Sequence, residues 1–370
     1  MLTLRRVSYM SRTGDQRGGR DGSPRVVVVD DSPFMRGLIC DLLADAGVAV
    51  VGEAGDGAEA LSVVAETRPD VVTMDVEMPG MGGLEAVERL MAETPTPVLM
   101  LSAHTDEGAA VTFEALDRGA VDFFAKPGGE VSTGVSREAD RLVEAVRSVA
   151  DADLDAATRG PGESTPSRRS EPAPESGDRG LDGPLTVVIG ASTGGPNAVE
   201  RVMSALPMAD CRVLIVQHMP EAFTARFADR LDAASAYDVR EASDGARIGA
   251  GEALVARGGS HTRVDSYRAG RLRVKLDADD SKSVTPAADV AMRSAAEVVD
   301  DPLVGVVLTG MGSDAAAGIR AMADAGARTL AQSEDTCVIY GMPKRAVETG
   351  GVDEVHDLDD VAGAIVGGEA

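Results

Sequence analysis

Short, Val-rich apolar runs recur along the first third of the chain, at Arg25–Val29, Ala49–Glu53, Asp70–Met74, Pro97–Leu101 and Val121–Ala125. They are continuous rather than alternating, which is the pattern of strands covered on both faces. Between them apolar positions return at helical spacing. Phe34, Leu38 and Leu42 form one stripe, and Ala60–Ala65, Leu84–Met91 and Val111–Leu116 form others. Strands alternating with helices predict a five-stranded, doubly wound parallel α/β sheet, closed by a last helix at Arg137–Ala150. The second half alternates again. Strands read at Leu185–Ile189, Arg212–Gln217 and Leu303–Thr309, and helices at Ala198–Leu206, Phe223–Ala234, Ala287–Val299 and Asp314–Ala325. Between Tyr237 and Leu276 the period approaches two. Arg263–Tyr267 and Arg271–Leu276 flank Arg268-Ala269-Gly270, which predicts an antiparallel hairpin inside a mainly parallel α/β domain.

Two stretches break the pattern. Residues 159–180 (RGPGESTPSRRSEPAPESGDRG) have no apolar period, and residues 1–24 are rich in Arg, Gly and Ser without an apolar core of the kind a secretory leader carries. The expected organisation is a tail over 1–24, a first domain over 25–150, a hydrophilic linker over 151–183 and a second domain over 184–367. Met10 is an alternative start to Met1. A length of 370 residues agrees with two domains at roughly 100–200 residues each.

Composition narrows the function. Lys+Arg is 36 and Asp+Glu is 61, a formal charge of −25. Nucleic-acid binding is excluded as a main role, because it needs basic patches that release counterions. No apolar run reaches the ~18 residues of a membrane span, which excludes direct membrane insertion. Cys40, Cys211 and Cys337 are too few and too scattered for a disulfide framework or a Cys-x-x-Cys zinc site, so a reducing cytoplasm is expected. Only Lys126, Lys275, Lys282 and Lys344 are lysines, aromatics are 3% and Trp is absent. So acidic a surface repels itself at ordinary ionic strength and is screened at molar salt, where the Debye length is ~3 Å. The composition points to a salt-loving source.

In a parallel α/β sheet, ligands sit beyond the C-terminal strand ends. Asp30 and Asp31 follow VVVV, Asp75 follows VVTM, Ser102 follows VLML and Lys126 follows VDFFA. Carboxylates gathered at one edge need a cation between them, and Mg²⁺ accepts such oxygens. A lysine and a hydroxyl opposite could hold phosphoryl oxygens. The segments VVVVDDSPFMRGL, VVTMDVEMPGMGGLEA, VLMLSAHT and DFFAKP, in this order, resemble the response-regulator receiver domain, a flavodoxin-like fold. The resemblance implies that Asp75 is the phosphoacceptor. It implies a Mg²⁺ site of Asp31, Asp75 and the Glu77 carbonyl, with Asp30 in the outer shell, and Ser102, Phe123 and Lys126 as switch residues. Gly82 departs from the family, which commonly has Asp there. Asp56 and Asp70 are expected to cap helices.

In the second half, Leu185–Ile189 runs into Gly190-Ala191-Ser192-Thr193-Gly194-Gly195-Pro196 and then a helix. A strand, tight turn and helix expose the apex residue, Ser192, as a nucleophile elbow does. A phosphate-binding glycine turn fits the same pattern. His218 directly follows the strand Arg212–Gln217 and lies at the same sheet edge, a suitable base. Asp314, after Leu303–Thr309 and Gly310-Met311-Gly312-Ser313, could orient that base or cap its own helix. GASTGG, QHMP, TGMGSDAAAG and YGMP in this order resemble the chemotaxis protein-glutamate methylesterases of the CheB type, which also carry a receiver domain first. The resemblance implies a Ser192–His218–Asp314 triad, an oxyanion contact from the Met311 N–H, and pocket positions for Thr193 and His261. It implies phosphorylation-activated hydrolysis of glutamate γ-methyl esters on chemoreceptors, receptor glutamine deamidation, and a chemotaxis histidine kinase as phosphodonor. The ester chemistry itself needs no cofactor. Ala315 stands where the family usually has Gly, and Pro286-Ala287-Ala288-Asp289 replaces Pro-Ser-x-Asp. A receiver-controlled nucleotide-binding module and a catalytically dead scaffold are the competing readings.

Overall fold

The Val-rich runs are strands with both faces covered: Val26 to Val29 have no exposed surface, and β3 and β4 below are buried along their whole length. The structure is a computed structural model that describes residues 23–102, 106–126, 135–158, 184–278 and 284–367. The residues expected as a tail lie outside the described residues up to 22, as does 159–183 of the expected linker.

The first sheet is built from β1 (Arg25–Val29), β2 (Ala49–Ala54), β3 (Val71–Asp75), β4 (Val98–Ser102) and β5 (Asp122–Ala125). Its order is β2-β1-β3-β4-β5, with every pairing parallel. The connecting helices are α1 (Pro33–Asp45), α2 (Gly57–Thr67), α3 (Gly83–Glu93), α4 (Asp106–Asp117) and α5 (Val135–Ala150). Strand order reverses between β1 and β3, so the crevice for a ligand opens between Asp30–Asp31 and Asp75. Asp56 caps α2 through the Glu59 N–H, as expected. Asp70 does not cap a helix; it accepts the Arg25 N–H at the start of β1. Beyond α5 a short helix, α6 (Leu154–Thr158), is held at its start by the Asp153 N–H donating to the Val338 carbonyl.

The second half contains β6 (Leu185–Ala191), α7 (Gly195–Ala205), β7 (Cys211–Gln217), α8 (Glu221–Ala234), β8 (Asp238–Glu241), β9 (Arg247–Ile248), β10 (Glu252–Val255), β11 (His261–Arg268), β12 (Arg271–Asp277), α9 (Ala288–Val298), β13 (Leu303–Val307), α10 (Ala316–Asp324), β14 (Arg328–Gln332), α11 (Met342–Glu348), β15 (Glu354–His356) and α12 (Leu358–Ile365). Seven strands form one parallel sheet in the order β15-β14-β13-β6-β7-β10-β8. The chain enters at the middle strand β6 and winds outward first on the β7 side, then on the β13 side. The switch point therefore lies at the end of β6, where Ser192 stands. The hairpin β11–β12 pairs with β9 in a separate antiparallel sheet. Its turn is two residues, not three: Ala269 and Gly270 have φ of 50° and 75°, and Arg268 is still in the strand. Both central residues with positive φ match the twist of a tight hairpin. The buried Arg212 side chain ties this hairpin to the sheet by bonding the Thr186 hydroxyl at 2.8 Å and the Gly270 carbonyl.

The two halves share a seam. Phe123 of β5 packs on Phe223 of α8 with ring centroids 4.6 Å apart, and Phe113 of α4 stacks on Phe227 of α8 at 5.9 Å. Around this aromatic patch, Arg230 of α8 contacts Asp117 at 2.7 Å and the Phe113 carbonyl at 3.2 Å, both on the α4 side.

Candidate functional site

At the C-terminal edge of the first sheet, Asp30, Asp31 and Asp75 each present a carboxylate oxygen, and the three atoms lie within 4.8 Å of one another. Lys126 Nζ sits 2.7 Å from Asp75 and 2.9 Å from Asp30. Burial is the main influence on Asp75 and raises its pKa; the Lys126 ammonium opposes it. For Lys126, burial works against the charge, but bonds to Asp75 and Asp30 outweigh it and raise the pKa. Such a set of hard oxygen donors suits Mg²⁺, which prefers carboxylates and keeps several waters. Ser102 is buried at the end of β4, and its carbonyl accepts the Lys126 N–H at 2.8 Å. Glu77 lies just past β3, its N–H 3.4 Å from Asp75 Oδ1. Phe123 lies elsewhere, buried in the seam against Phe223.

The second site is assembled from three neighbouring strand ends. The last registered pair of β6 and β7 is Ala191 with Gln217, so Ser192 and His218 are the next residues on adjacent strands. The His218 N–H donates to the Ala191 carbonyl at 3.1 Å. The Ser192 N–H donates to the Thr309 carbonyl beyond β13 at 3.0 Å. Its carbonyl accepts from Gln217 Nε2 at 2.8 Å and from the Gly195 N–H at 2.7 Å. Gln217 is thus a backbone brace for the serine turn. The sequence placed it in QHMP without giving it a role, because the far end of its side chain is not legible from the chain order.

His218 Nε2 lies 2.8 Å from Asp314 Oδ2. The Asp314 carboxylate also accepts the Ala288 N–H at 2.5 Å and the Asp289 N–H at 3.0 Å. Burial pushes its pKa up, but the His218 bond and charge and the two N–H donors outweigh this and lower it, so the group is held ionised. Asp314 therefore does not cap its own helix α10. It caps α9, whose N-cap residue Ala287 offers no side-chain bond. Met311 is one residue beyond Gly310, and Gly310 touches the serine turn: a Cβ there would stand 2.7 Å from Ser192 Cβ. His261 is buried, and its Nδ1 accepts the Ala287 N–H at 3.1 Å, so it braces the segment before α9. Ala315 adopts φ of 71° directly after Asp314, the left-handed conformation that explains why Gly suits this position.

The first half reaches this site. Ser148 of α5 lies 3.4 Å from the Thr193 hydroxyl, and Asp122 of β5 accepts a bond from the same hydroxyl. Thr193, next to Ser192, is buried by these contacts.

An ionised carboxylate bonded to a histidine beside a serine at a sheet switch point is an arrangement for acyl transfer. Comparison with known proteins agrees. The chain is 58% identical to the protein-glutamate methylesterase/protein-glutamine glutaminase of Haloarcula marismortui over 92% of its own length and 96% of that protein's. The chain belongs to the CheB methylesterase family. The CheB methylesterase family model matches residues 187–365, and the response regulator receiver domain model matches residues 26–132. The protein of the same name from Symbiobacterium thermophilum is 44% identical over 92% of this chain and 96% of that one. Membership decides against a nucleotide-binding module and for an ester hydrolase that carries a receiver domain. Among the described residues no helix is long and apolar enough to cross a membrane.

Proposed function

We propose that the chain is a cytoplasmic enzyme that hydrolyses glutamate γ-methyl esters on chemoreceptor helices, with a receiver over 25–150, a linker over 151–183 and the esterase over 184–367. The His218–Asp314 contact at 2.8 Å, one strand from Ser192, carries the reading. Because Asp314 engages Nε2 as an N–H acceptor, Nδ1 is the lone-pair nitrogen that takes the Ser192 proton. Ser192 Oγ attacks the ester carbonyl carbon, and the oxyanion is met by the Met311 N–H. The C–OCH₃ bond breaks as His218 returns the proton, and methanol leaves. Water then attacks the acyl-enzyme, His218 taking its proton and Ser192 leaving with one. A glutamine side chain follows the same path with ammonia as leaving group. Each product carries a new carboxylate on the receptor.

The receiver governs access. With Ser148 and Asp122 on Thr193 and with Phe123 on Phe223, the docked receiver crowds the serine turn. A chemotaxis histidine kinase supplies the phosphoryl group to Asp75. Asp31, Asp75 and the Glu77 carbonyl, with Asp30 outside, would hold Mg²⁺, which supplies charge neutralisation for phosphoryl transfer. Phosphorylation draws Ser102 and Lys126 toward the phosphoryl oxygens and repacks Phe123, which weakens the seam. Methanol release from methyl-labelled receptor membranes tests the reading: the wild-type chain releases it, and Ser192→Ala does not. Equal release by both would overturn it.

A further inference from the structure

Neither α9 nor α10 is capped by its own N-cap side chain. Each takes a carboxylate from the other segment. Asp314, leading into α10, accepts the Ala288 and Asp289 N–H groups in the first turn of α9. Asp289, in that first turn, accepts the Gly318 N–H in the first turn of α10 at 2.7 Å. Helix starts leave N–H groups without intrahelical partners, and a carboxylate there is doubly favoured by hydrogen bonding and by the helix dipole. The exchange is reciprocal, so it fixes the two helix starts relative to each other. The approach is close: a Cβ on Gly318 would lie 3.1 Å from Asp289 Cα and 2.7 Å from Met292 Cβ. His261 also braces this segment, its Nδ1 taking the Ala287 N–H.

We propose that Asp289 is a positioning residue for ester hydrolysis: by bonding Gly318 it locks α9 against α10 and so aims the Asp314 carboxylate at His218. The proposal rests on the triad reading above. Asp289 does not touch the reacting atoms. Its bond closes a ring that runs from Asp314 through the α9 start, across Asp289 to α10, and back along the chain to Asp314. Opening that ring lets the carboxylate drift off the imidazole while substrate contacts elsewhere stay in place. The expected signature is a loss in kcat with KM unchanged.

The test uses the full chain, activated with acetyl phosphate and Mg²⁺, on methyl-labelled receptor membranes. Asp289→Ala is expected to lower kcat about 10- to 100-fold, the scale of a misplaced catalytic group. Asp289→Asn keeps an oxygen for the Gly318 N–H and is expected to stay within about threefold of the wild type. A phosphonate that labels Ser192 gives a second reading, since its rate constant is taken from folded enzyme alone. It should fall in parallel for Asp289→Ala and recover in Asp289→Asn. A lowered melting temperature with kcat and labelling unchanged in Asp289→Ala would overturn the proposal, as would a loss in Asp289→Asn as large as in Asp289→Ala. If Asp289→Ala does not fold, Asp289→Asn decides: a more than tenfold loss of kcat overturns the proposal. Ser192→Ala in the same assay separates the two claims, because residual hydrolysis there removes the triad itself.

Discussion

Arg230→Ala is the perturbation that reads the docking of the two halves most cleanly. The guanidinium lies on α8, with 16% of its side-chain surface exposed, and reaches across the seam to Asp117 at 2.7 Å and to the Phe113 carbonyl at 3.2 Å. Asp117 is 59% exposed, so its pairing is screened and is worth about 0.5–1 kcal/mol. The bond from a charged donor to the Phe113 carbonyl adds about 1 kcal/mol. Glu200, which Arg230 also pairs on its own side, is left alone by the change and favours release from the seam. The sum, about 1.5–2 kcal/mol, shifts docking about 10- to 30-fold toward the parted state. Molar salt trims this without cancelling it, because the contact is shorter than the ~3 Å Debye length at 1 M. The unstimulated rate of methanol release should therefore rise up to about tenfold, while the rate under acetyl phosphate changes little. Asp117→Ala should give a smaller rise, and the double variant less than the product of the two, since both remove the same pair. An unstimulated rate equal to wild type in folded Arg230→Ala would refute the idea that docking limits access to Ser192.

Three further outcomes follow from other residues. Asp75→Asn should abolish stimulation by acetyl phosphate, measured as the ratio of methanol release with and without the donor. Asp122 is pushed up to about 7 by burial in the seam, against the Phe123 N–H and Thr193 bonds that lower it. The docked state therefore binds a proton that the parted state releases near its ordinary value of about 3.9. Docking then strengthens as pH falls through 7 and is weakest above it, so the stimulation ratio should grow from pH 8 to pH 5.5 and flatten in Asp122→Asn. Gly310→Ala would drive a methyl to 2.7 Å from Ser192 Cβ and 2.9 Å from its backbone nitrogen, and backbone cannot give way there. Methanol release should fall about 100-fold in a protein that still shows the wild-type circular dichroism spectrum.

The parallel sheets were legible because their strands are buried on both faces and read as unbroken Val-rich runs. Shorter strands such as β8, β9 and β15 were not, since two to four residues carry no usable period. β10 and β14 are equally hard to read, since ALV and TLA are no longer than apolar stretches inside helices. Ser192 and His218 could be placed at one sheet edge, because each directly follows a strand that the pattern marks. Asp314 was harder: an Asp before a helix reads equally as that helix's own cap, and only the fold shows it serving α9 instead. Asp289 stood out only as the last residue of Pro286-Ala287-Ala288-Asp289, with no role legible, because its partner Gly318 is a backbone N–H in another element. The seam was invisible for a similar reason. Phe223 and Phe227 read as the buried stripe of a helix, and nothing in their spacing says that what buries them includes Phe123 and Phe113.

Hydrolysis by the proposed route makes Ser192 the covalent carrier of the receptor glutamyl group. Rapid acid quenching of the acetyl phosphate-activated chain during turnover of a methylated receptor peptide, followed by mass spectrometry of the proteolytic fragment containing Ser192, measures this directly. The expected result is a fragment heavier by the peptide acyl group, formed with release of one methanol and absent in Ser192→Ala. Methanol released at the full rate with Ser192 unmodified at every quench time, and undiminished in Ser192→Ala, would contradict it.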